Sequence, residues 1–353
     1  MKFLICGLGS IGRRHLRNLR QLGEEDIILY RTRQSTLPDE ELAAYGTFTD
    51  LPEALAQKPD GVIISNPSAL HIPVAREAAK ACAHLLIEKP VSHNLEGIAE
   101  LAEVLKQQGR RALVGFHFRQ HPVLREIKAE LESGTLGKPL SATAHWGEYL
   151  PGWHPYEDYR KAYAGRADLG GGVTLTLSHP SDYLRWLLGE VEAVSATLSK
   201  LSELEIDVED NAEITLQFAD GAIGQVHLDY YQRPARHTLE IRCAEGSIAW
   251  DNSTGTARVY QASTDSWREF TLPEGFERND LFLAEMRHFI EVIKGETPVC
   301  TLEDGAAALQ IAMCASHSSN NFSKSVRLEV PWRLDGKIVN KSNPEEQDEF
   351  KRP

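Results

Sequence analysis

The sequence lacks the features of a membrane protein, a nucleic-acid-binding protein or a disulfide-stabilised one. No apolar stretch in its 353 residues approaches the ~20 residues that a transmembrane helix needs. The net charge of −13 disfavours nucleic acid and anionic membranes, since both are bound mainly through basic surfaces. The five cysteines are scattered and form no CxxC pair, which predicts reduced thiols and no metal site. The apolar segment before Gly7 is too short for a signal peptide, so we expect a cytoplasmic protein.

The length of the chain predicts two domains, because single hydrophobic cores rarely grow this large. A change in pattern places the boundary near His121-Pro122. We therefore assign residues 1–120 to a first domain, 121–335 to a second, and 336–353 to a polar tail.

Strand and helix signals alternate through the first 120 residues. Helical periodicity separates short apolar runs that are typical of buried strands, namely "KFLICG", "DIILYR", "GVIIS", "HLLIE" and "RALVGF". This alternation predicts an α/β fold with a doubly wound parallel sheet covered on both faces. Ligands of such sheets bind beyond the carboxyl ends of the strands.

The first strand–helix junction reads Gly7-Leu8-Gly9-Ser10-Ile11-Gly12. A GxGxxG pattern between a first strand and a first helix is the dinucleotide-binding fingerprint. Gly7 allows the tight turn, Gly9 lets the backbone approach a pyrophosphate, and Gly12 lets the helix pack on the strand. The alternative is a plain tight turn, but the context favours a dinucleotide.

The second strand ends in Arg31-Thr32-Arg33 and has no acidic residue at its tip. NAD-specific domains usually carry an Asp or Glu there, and that carboxylate would repel a 2′-phosphate. Arginine can instead fork onto a phosphate. We therefore expect NADP(H) to be favoured and NAD(H) to be usable, the latter especially if Arg31 only covers the adenine.

Polar residues follow the later strands at the same edge of the predicted sheet. The third strand leads into Ser65-Asn66-Pro67 and then His71, and the fourth leads into Glu88-Lys89-Pro90. Both stretches are predicted to border the cofactor. The alternatives are a helix-start role for His71 and, for Glu88 and Lys89, two solvated charges at a strand end.

From residue 139 the pattern changes to strands joined by hairpin turns, which predicts mostly antiparallel pairing. Residues 146–163 hold six aromatic residues in eighteen, against 8% aromatic residues in the whole chain. Aromatic faces and nearby basic residues suit a polar, sugar-like substrate, including an anionic one. The alternatives are a loop packed on its own rings or an oligomer contact. The substrate-binding candidates are Tyr149, Trp153, His154, Tyr156, Tyr159 and Arg160.

The stretch Gly170–Tyr183 places Ser178-His179-Pro180 at a helix start. Proline suits the first helical position. A helix N-terminus disfavours a cationic imidazole, so His179 should be neutral near pH 7 and able to relay a proton. The alternative is an ordinary residue flanking the helix.

The chain resembles the Gfo/Idh/MocA oxidoreductases in the GLGSIG turn, "SNPSALH", "LLIEKPV", "VGFHFRQHP" and "LGGGVTLTLSHPSDYLRWLLG". The resemblance implies a Rossmann domain followed by an α/β domain with a large, open, mostly antiparallel sheet. It implies hydride transfer between NAD(P) and a hydroxyl of a sugar or cyclitol, in a homodimer or homotetramer formed through that sheet.

The resemblance also implies roles for individual residues. Lys89 corresponds to the catalytic lysine, and a partly desolvated ammonium has a lowered pKa that suits proton transfer. Glu88 would orient it, and a cis bond is expected before Pro90. His179 matches the catalytic histidine of the second domain. His117 and Arg119 stand where the family has groups near the nicotinamide and substrate, although they could be ordinary strand-end residues.

One position departs from the family pattern. Many members carry a carboxylate shortly before the histidine, but Leu175, Thr176 and Leu177 stand there in this chain. Thr176 can hydrogen-bond a substrate but supplies no charge. Two alternatives to simple dehydrogenation therefore stay open: redox-assisted elimination or glycoside cleavage with cofactor recycling, and a non-catalytic dinucleotide-dependent sensor.

Overall fold

The computed structural model describes residues 1–32, 40–155 and 157–328. Its first unit has six strands and four helices before residue 115. The strands are β1 (Phe3–Cys6), β2 (Ile27–Tyr30), β3 (Gly46–Phe48), β4 (Gly61–Ile64), β5 (His84–Ile87) and β6 (Ala112–Val114). The helices are α1 (Ser10–Gln21), α2 (Leu51–Leu55), α3 (His71–Lys80) and α4 (Ile98–Gln107).

The six strands form one parallel sheet in the order β3-β2-β1-β4-β5-β6. Every residue of β1, β4 and β5 is buried, as expected for strands covered by helices on both faces. The predicted α/β fold is therefore confirmed. The carboxyl ends of β1, β4 and β5 lie side by side, and the turns that follow them carry the predicted site.

The second unit is built on a nine-stranded sheet in the order β14-β13-β12-β11-β7-β10-β9-β8-β15. Among the described strands of this sheet, only β7 and β10 pair in parallel, so the predicted mostly antiparallel sheet is also confirmed. Its strands are β7 (Pro139–Gly147), β8 (Val191–Ser199), β9 (Asn211–Phe218), β10 (Ile223–Asp229), β11 (Arg236–Cys243), β12 (Gly246–Asp251), β13 (Thr256–Gln261), β14 (Ser266–Thr271) and β15 (Val326–Arg327).

Four helices pack against this sheet, namely α5 (Pro122–Glu132), α6 (Val173–Thr176), α7 (His179–Leu188) and α9 (Leu302–Asn320), and α8 (Arg278–Lys294) lies between the last hairpin and α9 in the chain. Buried and more exposed residues alternate along the central strands, for example in β11, because successive side chains point to opposite faces. The inward-facing side chains form a second apolar core with α7.

The last two helices return to the first sheet. The ring of Phe289 in α8 lies 6.3 Å from that of Phe3 in β1, and the N–H of Val114 donates to the carbonyl of Cys300 at 3.0 Å. Met286, Phe289 and Leu309 belong to the same buried cluster as the first sheet. The domain division at residues 120 and 121 stays a prediction, but the first core also uses side chains from beyond residue 280.

Some elements were not predicted from the pattern. The edge strand β3 is only three residues long and half-exposed, so it has no apolar run to mark it. The predicted tail at 336–353 lies outside the described residues. Within the described part of the chain, no helix is long and apolar enough to cross a membrane.

Candidate active site

The glycine-rich turn between β1 and α1 has the geometry of a cofactor cradle. Gly7 has a φ of +97°, and a Cβ on it would lie 2.5 Å from the backbone N of Asn66. A Cβ on Gly12 would lie 2.0 Å from the carbonyl oxygen of Gly7, whereas one on Gly9 would meet nothing within 4 Å. Helix α1 has no side-chain cap and no acid in its first turn. Its free N–H groups therefore suit a pyrophosphate, and the residues present fit a dinucleotide.

The predicted cofactor residues after β4 and β5 tie the neighbouring turns together. Ser65 donates through Oγ to the carbonyl of Gly7 at 2.9 Å. The ring of His71 lies between two backbone carbonyls, with Nε2 2.8 Å from that of Asn66 and Nδ1 3.0 Å from that of Pro90. These contacts fix the shape of the sheet edge. Direct contact of these residues with a cofactor, and that of Pro67, stays a prediction.

Lys89 extends from the end of β5 towards the second unit. Its ammonium donates to the carbonyl of Thr176 at 2.8 Å, and the Lys89–Pro90 peptide bond is cis, as expected. Burial lowers the pKa of Lys89; the charge of Glu88 opposes this shift and that of Arg278 adds to it. A lysine with a lowered pKa exchanges a proton more readily near neutrality.

His179 begins helix α7, as predicted, and is 1% exposed. Its ring centre is 4.5 Å from that of His117, which follows β6. Burial, followed by the charges of His117 and Lys89, holds the pKa of His179 well below its ordinary value. Burial, followed by Lys89, does the same to the pKa of His117. Both imidazoles are therefore neutral near pH 7.

Thr176 joins the two predicted catalytic residues through its backbone. It lies in α6, three residues before His179, and its carbonyl accepts the hydrogen bond from Lys89. The threonine side chain is not needed for this contact. The structure thus brings Lys89, Thr176, His179 and His117 into one site between the two sheets.

The side chain of Arg119 forms hydrogen bonds with two carboxylates and one backbone carbonyl of the second unit. Its guanidinium makes two hydrogen bonds through Nε to the Asp182 carboxylate and a 2.7 Å bond through Nη2. Nη1 donates to Asp304 at 3.1 Å and to the carbonyl of Val299 at 2.8 Å. Arg119 and Asp182 are both buried. This geometry gives Arg119 a structural role between α7 and α9, and it does not support the predicted cofactor contact.

The end of β2 carries Arg31, which is 8% exposed and whose N–H donates to the carbonyl of Phe48 at 3.1 Å. Thr32 follows it and is exposed. Arg33 lies outside the described residues. No acidic side chain occupies positions 31 or 32 to repel an adenosine 2′-phosphate. The contact of Arg31 with that phosphate stays a prediction.

The predicted aromatic segment packs largely against its own surroundings. Tyr149 lies under the guanidinium of Arg233 at 4.1 Å, and Trp153 contacts the ring of Tyr230 at 5.6 Å. Tyr159 accepts a hydrogen bond from the N–H of Glu205 at 3.3 Å. These contacts anchor the segment to residues outside it, so they are not those of a loop packed on its own rings.

Arg160, the basic candidate of this segment, is neutralised by neighbouring acids. Arg160 is exposed and forms ion pairs with Asp158 at 2.8 Å and with Glu205 at 3.0 Å. It therefore offers little excess positive charge to an anionic substrate. His154 is half-buried, and Tyr156 lies outside the described residues. Substrate contacts by the six candidates stay a prediction.

The structure adds four residues that the sequence pattern did not single out. Trp146 stacks on His179 with ring centres 5.5 Å apart, and its Nε1 donates to Glu148 at 2.8 Å. Arg278 and Glu148 both act on the pKa of Lys89 through their charges. Burial, followed by the Glu88 charge, raises the pKa of Tyr163 to about 12. Trp146 and Tyr163 were visible as part of the aromatic excess, but only the fold shows that Trp146 meets His179.

The site and the fold agree with comparisons to known proteins. A family described as "Oxidoreductase family, NAD-binding Rossmann fold" matches residues 1–116, and the GFO/IDH/MocA C-terminal domain matches residues 124–249. Myo-inositol 2-dehydrogenase of Thermotoga maritima is 31% identical over 350 residues, which cover 93% of this chain and 99% of that enzyme. The chain belongs to the Gfo/Idh/MocA oxidoreductase family.

Other Gfo/Idh/MocA relatives are similar over most of their length. scyllo-Inositol 2-dehydrogenase (NAD(+)) of Bacillus subtilis is 29% identical and matches 77% of this chain and 78% of its own. The solved structure of a levoglucosan dehydrogenase in complex with NADH has a TM-score of 0.81 at 20% identity, and covers 93% of this chain and 98% of that one. The predicted family, the fold class and the assignment as an oxidoreductase with an NAD-binding domain are confirmed.

Proposed function

We propose that this Gfo/Idh/MocA protein is an NAD(P)-dependent dehydrogenase or reductase that acts on a secondary alcohol of a sugar, a sugar derivative or a cyclitol. The observation that carries the proposal is the hydrogen bond from Lys89 to the Thr176 carbonyl. It brings the lysine at the cofactor edge of the first sheet together with His179 at the start of α7. The activities of the two inositol dehydrogenases support this substrate class.

The chain's own residues would manage the proton of the reaction. A nicotinamide bound at the edge formed by β1, β4 and β5 supplies the two-electron acceptor or donor. In the oxidative direction, the unprotonated amine of Lys89 accepts the proton of the substrate hydroxyl, and the carbon that bears this hydroxyl would lose a hydride to the bound nicotinamide, so that the alcohol becomes a carbonyl. Neutral His179 hydrogen-bonds the same oxygen and can relay its proton. The reductive direction reverses these steps.

A substrate screen tests the proposal. We expect myo-inositol, scyllo-inositol or a related sugar to produce a stoichiometric change in the absorbance of reduced nicotinamide. Product analysis in the same reactions would detect bond cleavage without net cofactor turnover, which is the elimination alternative. A protein that binds cofactor but changes neither the cofactor nor any compound in the panel would contradict the proposal and support the sensor alternative.

The paired glycines of the first turn test the cofactor cradle. We expect Gly9→Ala to keep the melting temperature of the wild type, because an added Cβ meets nothing within 4 Å. The same methyl group would occupy the open space over the turn, so we expect the Kd for the cofactor to rise about tenfold, a loss of about 1.4 kcal/mol. Gly12→Ala is the matched variant, and we expect it to lower stability because its Cβ would lie 2.0 Å from a backbone oxygen. Unchanged affinity in Gly9→Ala, measured by fluorescence titration, would place the cofactor elsewhere.

We also propose a preference for NADP(H). The support is the absence of an acid from positions 31 and 32 and the position of Arg31 at the end of β2. We expect wild type to bind NADPH about ten- to a hundredfold more tightly than NADH, which corresponds to a charge-assisted contact of about 1.5–3 kcal/mol. Arg31→Ala should remove most of this difference. Equal dissociation constants for the two cofactors in wild type, or a ratio unchanged by the substitution, would contradict the preference without affecting the proposed reaction.

A further inference from the structure

Next to Lys89 lies a buried group of three titratable side chains that the proposed proton transfer does not use. His15 comes from α1, Glu88 from the end of β5, and Glu285 from α8. They are 0%, 7% and 2% exposed, respectively. One side-chain nitrogen or oxygen of each lies within 4.8 Å of those of the other two. Buried charges are costly unless they are paired, so the protonation of this group has to be settled by the contacts within it.

The carboxylates of Glu88 and Glu285 differ in their hydrogen-bond contacts. Nε2 of His15 lies 2.7 Å from Oε1 of Glu88, and Oε2 of Glu88 accepts the backbone N–H of Lys89 at 3.2 Å. Both oxygens of Glu88 therefore receive donors, which stabilise a carboxylate. Oε2 of Glu285, by contrast, has no hydrogen-bond partner in the part of the chain that the structure describes. An ionised oxygen in that position would be uncompensated.

We infer that Glu285 is held as a neutral carboxylic acid and that, with His15, it confines one negative charge to Glu88 beside the catalytic lysine. His15 and Glu285 are then positioning residues that act through Glu88, and their effect on Lys89 rests on the function proposed above. Glu285 then lies beside Glu88 without adding a second charge, and His15 holds one oxygen of the Glu88 carboxylate.

The electrostatics agree with this geometry. Burial, followed by the charge of Glu88, holds the pKa of Glu285 well above its ordinary value. Burial also raises the pKa of Glu88, but the hydrogen bond from His15 and the charges of His15 and Lys89 outweigh it, so the pKa of Glu88 lies below its ordinary value. The charge on Glu88 in turn opposes the loss of the Lys89 proton, which burial favours.

Five other titratable or charged groups interact electrostatically with Glu88, Glu285 or Lys89 and belong in the same balance. They come from α3, the residue after β7, the loop before α6, the start of α8 and the turn before α9: His71, Glu148, Tyr163, Arg278 and Cys300. None of them supplies a hydrogen bond to Oε2 of Glu285 within the described residues.

Infrared spectroscopy tests the neutral acid without any need for activity. We expect wild-type protein at pH 7 to show the carbonyl band of a protonated carboxylic acid, which Glu285→Gln removes. Glu291→Gln is the matched control, because Glu291 lies on the same helix but is 44% exposed and ion-paired with Lys294, and it should keep the band. Wild-type protein also gives a test that needs no substitution. The band should disappear only at a pH well above about 4.3, the ordinary pKa of Glu. A spectrum without the band at pH 7 would overturn the inference.

The pH dependence of stability gives a second test. A carboxyl group whose pKa is raised by folding contributes stability that is fully present below its unfolded pKa and is lost as the pH rises through its folded pKa. Wild type should therefore lose stability relative to Glu285→Gln as the pH rises from about 4.3. We expect the difference in melting temperature between the two to change in favour of Glu285→Gln. A difference that stays constant from acid to alkaline pH would contradict a raised pKa.

The pH profile of turnover tests the link to Lys89. Glu88→Gln removes the charge that holds the proton on the lysine, so the acidic limb of alcohol oxidation should move to lower pH by about one unit. His15→Phe should produce a similar shift, and His15→Gln, which keeps an N–H donor, should reverse part of it. Glu285→Gln exchanges one neutral group for another and should leave the limb in place. A shifted limb in Glu285→Gln would show that Glu285 carries charge and would overturn the inference. If no variant or wild type turns over any substrate, the proposed function fails, and the infrared and stability tests still decide the protonation of Glu285.

Discussion

Lys89→Ala is expected to lower turnover by about 10²–10⁴, the contribution of a single acid–base group, while it leaves cofactor affinity nearly unchanged. The reason is the position of the ammonium, which extends from the cofactor edge to the Thr176 carbonyl and has a pKa lowered by burial. Steady-state rates with the best substrate of the screen, together with the Kd of the reduced cofactor, measure the two effects separately.

Lys80→Ala is the control for this prediction. Lys80 ends helix α3 in the same unit, but its side chain is 52% exposed and pairs with Glu77, so its removal should not change the rate. Wild-type turnover in Lys89→Ala would contradict the catalytic role and support the alternative of a solvated charge at a strand end. Loss of cofactor binding in the same variant would show that the lysine holds the cofactor rather than the proton.

His179→Ala is the second substitution with a large expected effect, and we expect turnover to fall by about 10²-fold or more. The imidazole is neutral, because burial and the charges of His117 and Lys89 lower its pKa. Its Nδ1 has no hydrogen-bond partner among the described residues, so this nitrogen remains available to a ligand. Removing the ring takes away the group that would share the substrate proton with Lys89.

Thr176→Ala tests the residue that stands where many family members have a carboxylate, and its effect is compared with that of His179→Ala. Because the contact with Lys89 uses the Thr176 backbone, we expect the substitution to reduce turnover less than His179→Ala does. Rates of both variants at saturating cofactor, with circular dichroism to confirm folding, make the comparison. A larger effect of Thr176→Ala would mean that the hydroxyl, and not the imidazole, handles the substrate.

The elements with a strong local pattern could be predicted from the sequence. The apolar runs of β1, β2, β4, β5 and β6 mark buried parallel strands, and the glycines before α1 mark the turn. The EKP and SHP stretches each end or begin an element, so their position at the site follows from the order of strands. For these parts, local chemistry and the fold point in the same direction.

Other residues could not be placed, because their role depends on which elements meet. Arg119 follows β6 at the predicted edge, but Asp182 and Asp304 from two later helices bind its guanidinium. Glu285 belongs to a helix face with Met286 and Phe289. A carboxylate on an apolar helix face is a signal of buried chemistry, but nothing in the sequence says that His15 and Glu88 lie opposite it.

The return of α8 and α9 to the first sheet affects how the protein is made. The N-terminal strands are synthesised first, at about 5–20 residues per second. Their partners are synthesised last, since Phe3 packs against Phe289 and the N–H of Val114 donates to the carbonyl of Cys300. The nascent Rossmann sheet therefore emerges with an apolar surface that stays uncovered until almost the whole chain has been translated. Residues 1–120 made alone should consequently be prone to aggregation, and the enzyme should reach its native state only after synthesis nears completion.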